Sequence, residues 1–119
     1  MKKYSVSEID DVVIAADGLP CMVQGKFFYR IAGSHIALCY LAERKDSPVK
    51  IELPIAVGEL VVAEDESFGM MVGGEFAYYD LECLVEGVLH RENTGGLGFR
   101  PVKSIALFRN ETSQVFNVT

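Results

Sequence analysis

Residues 21–44, CMVQGKFFYRIAGSHIALCYLAER, decide the fold class. From Cys21 to Ala32 apolar and polar residues alternate. Val23, Phe27, Tyr29 and Ile31 oppose Gln24, Lys26 and Arg30. Period-two alternation rich in β-branched and aromatic residues predicts a half-buried strand. Gly33-Ser34 supplies a two-residue turn, and His35–Arg44 returns as a second strand with Ile36, Leu38 and Tyr40 on one face. Two strands joined this tightly pair antiparallel.

The pattern continues C-terminally. After the polar break Lys45–Pro48, Val49–Val57 alternates again, with Pro54 marking an edge or a bulge. Gly58-Glu59 predicts a turn into a strand at Leu60–Ala63. Phe68–Val72 reads as a short strand, and β character returns at Phe99–Arg109 and Gln114–Val118. N-terminally the period changes. Ser5-Val-Ser-Glu8 fits a capping box, and Ile9, Val12, Val13 and Ala16 recur at helical spacing until Gly18 and Pro20. This predicts a helix over 5–17.

Residues 80–92 fit two templates. As a helix, Leu81, Leu84, Val85, Val88 and Leu89 form one stripe; as a strand, Leu84 and Val88 fall on the polar face. The helix leaves fewer exceptions, at a cost of about 1 kcal/mol for Gly87 relative to Ala. The expected architecture is therefore a β-rich α+β domain. An N-terminal helix packs on a curved antiparallel sheet of five to seven strands, with a second helix at about 81–92. The length, 119 residues, fits one domain. Within Leu84–Phe108, GVLHR followed by FRPVKSIALF has a passing look of hairpins in small β-barrels such as the OB-fold. That stretch carries no diagnostic residue and assigns no family.

Charge narrows the function classes. Eleven bases against seventeen acids give a net −6. Between Glu64 and Glu92 eight acids face one base, Arg91. An acidic chain disfavours nucleic acid and anionic membrane surfaces, and no stretch has the length of a membrane span. Phe27, Phe28, Tyr29, Tyr40, Phe76, Tyr78 and Tyr79 are conspicuous beside Lys26 and Arg30. Such a set can stack single-stranded bases, but with this charge balance core and interface packing is the stronger reading. Three cysteines, Cys21, Cys39 and Cys83, in apolar settings predict free structural thiols. With no secretory h-region in MKKYSVSEIDD, the cytoplasm is the expected compartment.

Glu82, Glu86 and His90 form the best chemical cluster, because they share a face in either a helix or a strand. Two carboxylates and an imidazole suit acid–base or binding work; the single His falls short of a zinc motif, and no metal or cofactor is expected. His35 and Cys39 have no activating neighbours in sequence. Gly69–Gly74 and Gly95–Gly98 lack the Lys and Ser/Thr of a phosphate loop. The expected function is non-enzymatic: a small binding domain acting by self-association, most simply as a two-fold dimer, or through a basic protein partner in an inhibitor or immunity-like role. Glu64, Asp65 and Glu66 are the expected partner surface, since complementary charge speeds encounter. The runner-up is a small-molecule or enzymatic domain with an apolar pocket, Glu82, Glu86 and His90 being its polar groups. The dimer is expected from a sheet apolar on both faces, which helices cover only in part; a closed barrel would absorb both faces without a partner.

Overall fold

The structure, a computed structural model, describes residues 2–9, 18–32, 35–44, 47–64, 76–92, 96–109 and 112–118. Its elements are β1 (Lys3–Ser5), α1 (Val6–Ile9), β2 (Leu19–Ala32), β3 (His35–Ala42), β4 (Lys50–Leu53), α2 (Ile55–Glu64), β5 (Phe76–Arg91), β6 (Leu97–Arg109) and β7 (Thr112–Asn117). The molecule is β-rich α+β.

The sheet closes on itself. Strands pair in the order β2-β3-β4-β6-β5, and β5 pairs again with β2, giving a five-stranded barrel. The curved sheet expected from the sequence is thus closed into a barrel over these five strands. The β2–β3 hairpin predicted from residues 21–44 is present, with Phe28 opposite Tyr40 and Lys26 opposite Ala42. β4 joins β6 in parallel, Ile51 beside Leu97. β1 and β7 are additions, flanking β2 and β6.

Inward positions alternate as the pleat requires. Cys21, Val23, Phe27 and Tyr29 of β2 meet Cys39 and Leu41, Ile51 and Leu53, Cys83, Val85 and Leu89, and Phe99, Ile105 and Leu107 in one core. α2 contributes Val57 and Val61 to the same core, and α1 contributes Val6 and Ile9. At Gly25 a Cβ would lie 2.6 Å from the Val6 side chain and 3.1 Å from the Ala42 carbonyl, so α1 seats closely only because that strand position is glycine.

Three expectations need correcting. Residues 81–92 are strand, not helix: β5 runs between β2 and β6 with bulges around Gly87. Its inward set is Cys83, Val85 and Leu89, while Leu84 and Val88 are half-buried on the outer face. Apolar residues on both faces of a doubly paired strand imitate a helical stripe. The strand predicted over Val49–Val57 stops at Leu53, and the predicted turn at Gly58-Glu59 and strand at Leu60–Ala63 are α2. Pro54 cannot continue a ladder but suits a helix start, and its carbonyl accepts the Val57 N–H at 2.9 Å. The N-terminal helix is described only as Val6–Ile9, after a short strand; residues 10–17 of the predicted helix, and Phe68–Val72, lie outside the described residues. One half of the box at its start is present: Glu8 Oε1 accepts from the Ser5 N–H at 3.2 Å, and the Ser5 hydroxyl donates to the same oxygen at 2.9 Å. Those bonds, the hydroxyl's first, hold the Glu8 carboxyl below its ordinary pKa.

Candidate functional site

Alternation aims one set of residues outward from β2, β3 and β4. Cross-strand pairing aligns them in rows: Lys26, Ala42 and Lys50 in one, Phe28, Tyr40 and Glu52 in the next. The Phe28 and Tyr40 rings stack, centroids 5.4 Å apart and planes 24° apart. The Lys50 ammonium stands 5.1 Å from the Tyr40 ring centre, within cation–π range. Although both rings face away from the barrel core, Phe28 is 2% exposed and Tyr40 8%. They form, with Ala42 and the partly buried Leu38, a second small apolar cluster. Neither ring is open for a base to stack on.

Beside this face stand Glu92 and Gly96, the described residues that follow β5 and precede β6. Glu92 N–H donates to the Gly96 carbonyl at 2.7 Å. The Glu92 carboxylate then lies over Gly98, where a side chain would displace it, and pairs with Arg100 at 3.2 Å. Two adjoining hollows result. One, about 180 Å³, is lined by Leu38, Tyr40, Lys50, Glu52, Glu92 and Leu97 among others. The other, about 410 Å³, is lined by Glu52, Leu53, Pro54, Ile55, Glu92, Phe99 and Arg100. Glu52 and Glu92 belong to both, so the hollows form one groove with two carboxylates at its middle and apolar walls to either side.

The residues singled out from sequence lie elsewhere. Glu82, Glu86 and His90 all stand on the outer face of β5, four residues apart and so separated by about 13 Å at each step. Each has its own setting. Glu82 is opposite Lys26 in register, Glu86 pairs with Lys103 at 3.5 Å, and His90 Nε2 is 2.8 Å from the Arg100 carbonyl oxygen. The structure does not bring the three into one hollow, and among the described residues no group of His, Cys, Asp or Glu has metal-ligand geometry. Of the expected partner surface, Glu64 ends α2, while Asp65 and Glu66 lie outside the described residues. The His35 side chain and residues 69–74 are likewise outside them.

All three cysteines are free and buried. Cys39 Sγ donates to the carbonyls of Leu53 and Pro54 at 3.5 and 3.3 Å. Burial pushes its thiol up to about 12, and burial raises Cys21 and Cys83 as well. A nucleophilic cysteine needs the opposite shift.

Sequence reasoning missed the groove. Alternation shows that Lys50 and Glu52 face outward; it puts Tyr40 on one face with Ile36 and Leu38, and only the core decides that this face is the outer one. That Glu92 and Arg100 stand beside them depends on a parallel β4–β6 contact between distant segments. No protein-family model, curated protein or solved structure matches the chain. No described helix is long and apolar enough to cross a membrane.

Proposed function

We propose that this protein is a non-enzymatic binding module, and that its binding surface is the groove between the outer face of β3–β4 and the neighbouring Glu92 and start of β6. The observation that carries the reading is the pair of adjoining hollows sharing Glu52 and Glu92. Two carboxylates lining the same hollows as Leu38, Leu53, Ile55 and Phe99 suit a polypeptide segment that offers a Lys or Arg between apolar side chains. The net charge of −6 favours the same class of partner. An inhibitor or immunity-like role toward a basic protein is one form of this activity. Fold-level analogy supports the location. The strand order, with a helix between the third and fourth barrel strands, is that of OB-type barrels, which bind ligands on the second and third strands and the adjoining loops. The buried Phe28 and Tyr40 rings argue against the stacking of bases there.

One observation favours a second reading, a small-molecule site. The larger hollow, about 410 Å³, lies within the ~300–1,000 Å³ usual for ligand pockets. Its polar groups would be Glu52, Glu92 and Arg100 in place of Glu82, Glu86 and His90.

Amide shift mapping separates the readings. A Lys/Arg-rich peptide with interspersed Leu should perturb residues 38–40, 50–55 and 96–100, and E52K with E92K should abolish the response. A matched Glu-rich peptide should do nothing. Equal response to both peptides, or none to either, removes the proposal; a response confined to a metabolite panel replaces it with the second reading.

A further inference from the structure

Barrel closure removes the uncovered sheet face from which a dimer was expected, but it leaves β7 at an edge. Among the described residues β7 pairs only with β6, from Arg109 opposite Thr112 to Ser104 opposite Asn117. The Val118 N–H donates to the Lys103 carbonyl at 2.9 Å. Hydrogen-bonded and non-bonded pairs alternate along an antiparallel ladder. Phe116 and Gln114 therefore direct their backbone groups to β6, and Ser113, Val115 and Asn117 direct theirs away from it.

Among the described residues nothing pairs with that outward edge. Edge strands are normally blunted by charge or proline. β1, the other added strand, begins with the exposed Lys3, and exposed Lys2 precedes it. Residues 112–118, TSQVFNV, contain no charge and no proline. Ser113, Gln114, Val115 and Asn117 are exposed. Val115, at 58%, and Phe108, at 37%, are two of the three exposed large hydrophobic residues among those described. For a chain of net charge −6, self-repulsion directs any self-association to a neutral surface, and this edge is neutral.

We infer that β7 pairs antiparallel with β7 of a second copy about a two-fold axis at Val115. The edge is self-complementary in that register. Val115 faces Val115 of the second copy, and Ser113 faces its Asn117, so all three outward residues exchange hydrogen bonds. The outer faces continue one another too. Leu84, Ala106 and Val115 lie in one cross-strand row, and the two-fold joins this row to its counterpart in the second copy. Pairing consumes the edge on both chains, so assembly closes at two. The groove contributes no residue, so this surface stands or falls separately from it.

The test is light scattering from 10 µM to 1 mM. The native chain should approach twice 13.1 kDa at the upper end. V115K, which sets two ammonium groups side by side at the axis, should remain at 13.1 kDa. V115P, which removes an N–H that β6 does not use, should do the same. I55K, in the groove, should keep the doubled mass. Amide exchange supplies a measure independent of variants: protection at 113, 115 and 117 should rise with concentration, while that at 114 and 116 should not. A native mass of 13.1 kDa at 1 mM overturns the inference. So does a doubled mass that survives V115K, or edge amides whose protection ignores concentration.

Discussion

The cysteines show what burial does to a single group. Cys39, with its thiol held up to about 12, and Cys83, also raised by burial, keep their protons when folded. The unfolded chain releases them near the ordinary 9.0. Below pH 9 both states hold the same thiol protons, and these groups leave stability unchanged. Above it the unfolded chain binds fewer, so stability should fall as pH rises from about 9 toward 12, by about 1 kcal/mol per pH unit per thiol. Chemical denaturation at pH 8 and pH 10 measures this, and C83A should flatten the fall. A thiol reagent at pH 8 should find nothing in the native chain and three groups after denaturation. Gly87 is a residue-scale case of a different kind. A Cβ there would run into the Pro101 carbonyl oxygen and lie 3.0 Å from the Val102 Cα. Both are backbone atoms of a paired strand and cannot turn aside. G87A, conservative in the helix the sequence suggested, should cost about 1–3 kcal/mol in the strand that exists.

At the scale of elements, α2 shows why short apolar segments are hard to read. Ile55–Glu64 has no polar stripe to declare a helical period: Ile55, Ala56, Val57, Leu60, Val61, Val62 and Ala63 crowd ten positions. Its orientation comes from the core, which takes Val57 and Val61 while Ile55 stays exposed. V57A should therefore destabilise by about 2 kcal/mol, and I55A should stay within about 0.5 kcal/mol, both read from denaturant midpoints at constant slope. β5 makes the complementary point. Its period was ambiguous because its outer face carries Leu84 and Val88 among Glu82, Glu86 and His90. The shared face of those three polar residues was legible under either assignment. Their separation was not, since a strand spreads over about 26 Å what a helix would compress into about 12 Å.

For the whole molecule, net charge and closure act together. The deficit of six positive charges, with the Phe28 and Tyr40 rings covered, should keep single-stranded nucleic acid from binding. Anisotropy with a labelled oligothymidylate at 150 mM salt should show no saturation below about 10 µM, and micromolar affinity would mean that the outer face opens to stack bases. The chain alone determined the β-rich class, the β2–β3 hairpin, the outward placement of Lys50 and Glu52, the buried cysteines and the start of α1. Each rests on contacts within a few residues, or on a period that local burial imposes. Tertiary structure alone decided the closure of the barrel, the strand identity of residues 81–91, the helix after Pro54 and the groove that joins Glu52 to Glu92. Those depend on β4 meeting β6 and on β5 being paired on both sides. Such contacts join segments tens of residues apart, and their free energy leaves no repeating mark in either segment.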